Sequence, residues 1–365
     1  LLVGGLAPSM PALIAGRALQ GLGGGAISSI AYVAIGRGYL EEAKPRMLAL
    51  TSTAWVVPGL VGPGIAGIMA EGLGWRSVFL VLARLPGLAA LLAFPSLRRM
   101  SAGIPSPESR ARVVFAVVLA IGAGLVLTGI GLLNPLAALP LTAAGLALAV
   151  PAMRRLLPVD TLRAAPGMPA TIATMGLLNL AFFGVDAFVP LALVDVRGTS
   201  VAFAGLALTA ATVTWTSGAW VQARTAARVS RRAMVWAGLA VLAAAFVVTA
   251  AVLSPRIPLL LSLVGWGVAG LGMGLAYTTL GLAMLEQAEP GQEGDASASL
   301  QLATVLGSGL GAGIGGALIA LMSAQEEMLT RALLLQDGLM LAVVAIAFVA
   351  ARGLPRHTRA AATDQ

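Results

Sequence analysis

The stretch Pro11–Ile35, PALIAGRALQGLGGGAISSIAYVAI, decides how this chain is read. It is as long as a membrane span, apolar or small almost throughout, and contains one charge, Arg17. A helix needs about twenty apolar residues to cross a bilayer core. An arginine inside such a helix is costly, so it is paired, hydrated or functional. Gln20 and Gly24 follow Arg17 at helical spacing and share its face. Gly16, Gly21 and Gly25 are expected to let a neighbouring backbone come close.

The rest of the chain has the same character. Of 365 residues, 58% are hydrophobic and 10% charged, with mean hydropathy +0.93, whereas soluble domains carry roughly 25% charged residues. This is the composition of an all-α polytopic membrane protein; the short alternating segments of a β-barrel are not visible. There is no cysteine, so disulfide and thiol chemistry are out. The lone histidine, His357, lies in a polar tail, and no metal site or histidine relay is expected. Lys44 is the only lysine and belongs to no GxxxxGK[ST] loop, so no ATP-driven motor is expected. The opening LLVGGLAPSM is too short to span, and is expected to be the stub of a span in an N-terminally truncated chain.

Eleven full spans are expected after that stub, near 11–35, 47–70, 76–95, 112–132, 136–153, 168–194, 200–222, 233–253, 258–285, 297–322 and 332–351. Alternate loops hold 17 of the 23 basic residues, among them Arg37, Arg98, Arg112, Arg154, Arg231 and Arg356. The positive-inside rule puts those loops and the C-terminus in the cytoplasm of a multi-pass cell-membrane protein. The net charge of +8 therefore reports topology, and no nucleic-acid partner is expected. One connector on that side, Glu286–Asp295, is acidic instead.

The chain repeats itself. GLGGGA at Gly21–Ala26 recurs as GLGMGL at Gly270–Leu275, and GPGIAG at Gly62–Gly67 as GAGIGG at Gly311–Gly316, both at an offset of 249 residues. Two matches at one offset indicate a parallel duplication: two pseudo-symmetric bundles about an axis along the membrane normal. The glycine strings imitate dinucleotide fingerprints, but those need a strand before them and a helix starting at them. Here they lie inside long apolar spans, where close helix packing is the simpler reading.

GRALQGLGGG resembles the fourth-helix RxxQG motif of the major facilitator superfamily, with Arg17, Gln20 and Gly21 on the motif positions. Trp55, Pro58 and Gly62–Gly67 resemble the fifth-helix GPxxGG motif of its drug:proton antiporters; Gly62, Pro63 and Gly67 match, and Ala66 replaces one glycine. GWRSVF at Gly74–Phe79 is similar to the GWRxxF that follows it in those exporters. The spans at 112–132 and 136–153 resemble the extra pair of the fourteen-span branch. Two features depart from the family pattern. The second-half loop Gln222–Arg232 lacks the usual aspartate, and Arg84 stands where the branch commonly has asparagine.

The resemblance implies a major-facilitator-like fold with two extra central helices. Residues 1–95 would form an N-terminal bundle lacking its first two spans and most of a third. Residues 96–165 would hold basic loops and two inserted spans, 166–353 a C-terminal six-helix bundle, and 354–365 a cytoplasmic tail. The prolines and glycines at Pro58, Gly62, Pro63, Gly64 and Gly67 kink the fifth helix on physical grounds alone. The resemblance adds the role of a seal and hinge against proton leak.

Two acids lie inside spans. Asp186 interrupts the first span of the second half, with Asn179 seven residues earlier on the same face. Such a carboxyl is costly as an anion and suits proton loading and release; the plainer alternatives are a structural salt bridge, with Arg84 as one candidate partner, or a group near the outer interface. Asp337 is the second candidate. Mid-span polar or aromatic positions that could face a solute are Trp55, Asn179, Thr212, Trp215, Thr216, Tyr277, Gln301 and Thr304. With so few charges among them, a bulky apolar or weakly charged solute fits better than a sugar phosphate.

The expectation is a monomeric secondary exporter, not an enzyme, moving a drug-like or amphipathic small molecule outward across the lipid bilayer in exchange for protons. The proton gradient would be its energy source, with no cofactor. Arg17, Gln20, Asp186, Asp337 and Arg84 are the coupling and gating candidates. A proton-coupled importer of the same fold and a non-transporting membrane receptor or scaffold are the alternatives.

Overall fold

The computed structural model describes residues 1–54, 58, 69, 72–99, 107–132, 134–289, 291–322 and 326–356. The described residues form helices and no strand. In chain order these are α1 (Leu2–Gly5), α2 (Met10–Gly38), α3 (Lys44–Thr53), α4 (Trp75–Leu82), α5 (Arg84–Arg99), α6 (Pro107–Ile130) and α7 (Pro135–Leu156). They continue with α8 (Met168–Asp186), α9 (Val201–Thr225), α10 (Arg231–Val252), α11 (Leu260–Gln287), α12 (Glu293–Met322) and α13 (Glu326–Ala350). Ten helical stretches among the described residues are long and apolar enough to cross a membrane. They match ten of the eleven expected spans. The eleventh, 47–70, begins in α3 and then leaves the described residues.

The sequence starts these helices in ordinary ways. Pro11, Pro45, Pro135 and Pro169 occupy first-turn positions, where a missing N–H costs nothing. Asn134, Ser200 and Ser230 accept from Leu136 N, Phe203 N and Ala233 N at 3.0–3.2 Å, capping α7, α9 and α10.

Helix α11 is the hub of the C-terminal bundle, buried along most of its length. Its glycines let two helices touch its backbone. A Cβ on Gly272 would stand 2.7 Å from the Gly238 carbonyl of α10. One on Gly270 or Gly274 would collide with the Ala211 or Trp215 carbonyl of α9. On the far side α12 meets α8 in the same way, Gly307 against the Gly176 carbonyl and Gly311 against that of Leu180. Gly270, Gly272, Gly274 and Gly311 belong to the second copies of the two repeated strings, and their packing role stands; Gly307 lies one turn before the second string.

The first copies differ. Gly16 approaches Gly4 of α1 closely, but Gly21 and Gly25 have nothing within 4 Å among the described residues. The expectation that all three admit a neighbouring backbone is corrected for those two. The physical reason is plain: no described helix lies on that face of α2, whereas α9 and α10 enclose the corresponding face of α11. The other string, with Gly62, Pro63, Gly64 and Gly67, lies outside the described residues, as does Trp55; Pro58 is helical and exposed.

Helices α6 and α7 form a hairpin whose glycines mesh with each other, Gly122 against Ala149 and Gly145 against Val126. The hairpin leans on α12 through Leu119, Ala152 and Leu156 packed against Leu302 and Leu306. Basic residues gather at one end of the bundle. There Arg231 pairs with Glu286 at 2.6 Å and Arg232 donates to the Leu354 carbonyl at 2.7 Å. At the other end Arg197 staples the α10–α11 loop, donating to the carbonyls of Val252, Ser254 and Ile257.

The two copies of one string therefore predict opposite mutational outcomes. Gly270→Leu forces α9 away from α11 and should cost at least about 3 kcal/mol, the upper range for overpacking, read as loss of monodisperse protein or a lower Tm. Gly21→Leu should leave Tm unchanged.

Candidate functional site

An aromatic wall runs through the middle of the C-terminal bundle. Helix α8 contributes Phe182 and Phe183, α9 Trp215, and α11 Trp266 and Tyr277. Trp215 stands 5.5 Å from Phe182 and 5.5 Å from Tyr277, edge to face in both contacts. Such geometry suits the ring quadrupoles and fixes ring orientation. Phe183, Trp215 and Tyr277 are half-buried and form the accessible part of the wall. Below them Tyr32 of α2 covers Gly281, its hydroxyl 3.0 Å from where a Cβ would be. The Tyr32 hydroxyl meets that of Tyr277, which also meets Thr304 of α12.

Behind the wall lies a polar focus. Trp266 is fully buried between Phe182, at 5.3 Å and 19°, and Phe246, at 6.2 Å and 12°. The two rings hold the indole plane so that Nε1 donates to Asp186 Oδ1 at 3.1 Å. A carboxylate in the last turn of a helix opposes the helix dipole, so a fixed donor there matters. Asp186 is thus partnered by Trp266; Arg84 is exposed and makes no ion pair with a described residue. The alternative of a salt bridge between them is corrected.

Asp337 is 5% exposed and borders a small cavity of about 10 Å³ with Thr249 and Leu253, room for one water molecule. A second cavity of about 10 Å³ shares Thr249 and Leu253 and reaches Trp266, Ser262 and Arg197. Asp337 and Trp266 therefore border two small, mostly apolar cavities that share Thr249 and Leu253.

The other candidates fall in different places. Arg17 is exposed on α2, and its Nη1 donates to Gln20 Oε1 at 2.9 Å, so that pair is brought together as expected. Asn179 is fully buried, donates to its own helix at Met175 O, and leaves Oδ1 without a partner among the described residues. It does not face open space, contrary to its placement among the solute-facing residues. Thr212 bonds back to Leu208 O at 3.0 Å. The Thr216 hydroxyl donates to Ser52 O of α3 at 3.3 Å, beside Trp220 Nε1 on Thr53 Oγ1 at 2.9 Å. Gln301 is half-buried on the Thr304 face. Sequence reasoning missed Tyr32, Trp266 as a donor, and Gln336, whose Nε2 ties α13 to Gly184 O of α8 at 2.9 Å. Each is a polar group inside an apolar span, the one signal that could have flagged it.

The geometry is that of a polytopic helical membrane protein with an aromatic, nearly uncharged interior face. The family model described as Major Facilitator Superfamily matches residues 1–224, and the chain belongs to that family. It is 29% identical over 382 aligned positions to a probable multidrug-efflux transporter of Mycobacterium tuberculosis strain H37Rv, covering 97% of this chain and 79% of that protein. It is 25% identical over 326 positions to the methylenomycin A resistance protein of Bacillus subtilis, covering 85% and 68%. Among solved structures, the human organic anion transporter MFSD10 aligns with a TM-score of 0.44 and 16% identity, covering 90% of this chain and 82% of that one.

The indole–carboxylate bond is measurable by a double-mutant cycle. Trp266→Phe keeps the stacking and should cost about 1.5–3 kcal/mol, the range for a hydrogen bond to a charged group. In an Asp186→Ala background the same substitution should cost far less; equal costs in both backgrounds would place the Trp266 effect in packing alone.

Proposed function

We propose that this chain is a secondary active exporter of amphipathic, drug-like molecules, driven by exchange for protons and working by alternating access. The observation that carries the reading is the half-buried aromatic face of Phe183, Trp215 and Tyr277, closed at one end by Tyr32 from the other side of the molecule. Such a face gives a large planar or hydrophobic solute stacking area without demanding a fixed charge pattern. The names of the Mycobacterium and Bacillus relatives, a multidrug-efflux transporter and an antibiotic-resistance protein, support the same solute class. The α6–α7 hairpin, packed mainly on itself, fits the inserted pair of a fourteen-span transporter. The basic end is assigned to the cytoplasm by its arginines.

In this reading Arg17 and Gln20 orient a proton-carrying carboxyl or water facing α2, and Asp186 and Asp337 exchange protons within the C-terminal bundle. The solute moves as two helical halves rock about the aromatic face.

Energised inverted membrane vesicles test the reading. They should accumulate an amphipathic dye such as ethidium and lose part of their proton gradient on its addition. Accumulation only in right-side-out vesicles would make the protein an importer, and neither signal would leave a scaffold. Arg17→Ala should reduce accumulation at least about tenfold, a loss near 1.4 kcal/mol or more, with expression unchanged. Asp186→Asn should keep solute binding, read by tryptophan quenching, while removing the response to an imposed pH gradient; a normal response would move coupling elsewhere.

A further inference from the structure

The span that carries Asp186 is not one continuous helix. Helix α8 stops at Asp186, a single turn follows at Val189–Leu191, and Ala192–Val196 ends the span as a π-helical turn. The sequence favours the break, because Pro190 has no N–H to give the Asp186 carbonyl four residues before it. Just upstream the turn tightens: Phe188 N donates to Val185 O at 2.9 Å instead of to Gly184 O. The Gly184 carbonyl, two residues before Asp186, is thus left without its helical partner inside an apolar span, where an unmade backbone bond is costly.

One side chain replaces that partner. Gln336 of α13 is completely buried, and its Nε2 donates to Gly184 O at 2.9 Å. It passes through a notch in a third helix: a Cβ on Gly315 of α12, the fifth residue of GAGIGG, would stand 2.7 Å from Gln336 Nε2 and would strike the Phe188 ring. Met340, four residues after Gln336 and on the same face of α13, lies against the Cα of Gly184. Gln336 Oε1 has no partner among the described residues. Burying an amide with half its bonding capacity unused is unfavourable, and a methionine would fill the same space without that cost. The N–H donor is what this position gains. On the other side of the break Trp266 of α11 holds the Asp186 carboxyl at 3.1 Å.

We propose that Gln336 is a positioning residue for Asp186: reaching through the Gly315 notch, its amide braces the broken end of α8 so that the carboxyl meets the Trp266 indole. Without the amide donor, Gly184 O takes back the Phe188 N–H, the end of α8 rewinds, and Asp186 is carried off the indole. Three helices of one bundle therefore share the work. Helix α13 supplies the donor, α12 the opening it passes through, and α11 the partner that the carboxyl is aimed at. The consequence for transport rests on the reading of Asp186 as a proton-exchanging group.

Gln336→Met keeps the length and volume of the side chain and removes the donor. The quantity to measure is the coupling between Trp266→Phe and Asp186→Ala, on the unfolding equilibrium of the purified full chain in detergent micelles. In the parent it should be about tenfold to 150-fold, the scale of a hydrogen bond to a charged group. In the Gln336→Met background it should fall to about threefold or less, whereas a residue that only packs adds its own cost and leaves the coupling whole. Gly315→Ala, which drives Gln336 from its notch, should shrink the coupling in the same way. Met340→Leu, which disturbs the same glycine but no hydrogen bond, should leave it at the parent value. Parent coupling in Gln336→Met overturns the brace, and so does an equal loss in Met340→Leu; parent coupling in Gly315→Ala overturns the notch. In energised vesicles Gln336→Met should lower ethidium accumulation driven by an imposed pH gradient about threefold or more, with tryptophan quenching by ethidium retained. The coupling needs neither solute nor gradient. Its loss alongside a normal gradient response would therefore sink the part of Asp186 in transport and leave the brace standing.

Discussion

Helices in lipid are not drawn together by burial of apolar surface, because acyl chains are as apolar as leucine. What remains is close contact of backbones and the hydrogen bonds that contact permits. In this protein that condition is met at glycines: Gly270, Gly272 and Gly274 on α11 and Gly307 and Gly311 on α12. The approach of α9 and α11 is what lets Thr214 of α9 donate to Gly267 O of α11. The same approach sets Trp215 and Tyr277 edge to face, and the α8–α11 contact stacks Phe182 on Trp266. A bulkier side chain at any of these glycines would separate the elements that build the aromatic face, so the site depends on the packing beneath it.

The spans were legible in the sequence because twenty-residue apolar runs report directly on the solvent. The 249-residue offset was legible too, and it correctly marked the glycines of α11 and α12 as packing residues. The partners were not. Helical periodicity says which residues share a face, but not which helix covers that face. Asp186 therefore looked able to reach Arg84, whereas its donor is Trp266, 80 residues further along the chain. The same limit explains Gly21 and Gly25, whose motif promised a neighbour that no described helix supplies. Asn179 had the right spacing to Asp186 yet points into the bundle rather than into open space.

Charge at the basic end shows the reverse case, an anomaly in the sequence that the structure explains. Acids weigh little in topology, so Glu286–Asp295 was only an exception to a count. In three dimensions Glu286, Glu293 and Asp295 each neutralise an arginine from another helix. Glu293 and Asp295 also stand in the first turn of α12, where the helix dipole favours an anion by typically about 0.3–1 kcal/mol. Two modest effects thus act on the same residues, and they join α2, α12 and the α6–α7 hairpin at one point.

The repeat places Arg17 of α2 and Trp266 of α11 at equivalent positions, and the two solve related problems with different chemistry. Arg17 is always charged, and its described partner is the neutral Gln20 Oε1. Asp186 is the acidic member of the other pair, and its described partner is the neutral Trp266 N–H. In each half, then, one ionisable group within a span is held in orientation by a neutral hydrogen-bonding partner that does not cancel its charge. A salt bridge would have fixed the group just as well but would have occupied it. An oriented group held this way keeps the hydrogen-bonding capacity that a salt bridge would take up. That property separates these two residues from Arg231, whose carboxylate partner leaves it no such freedom.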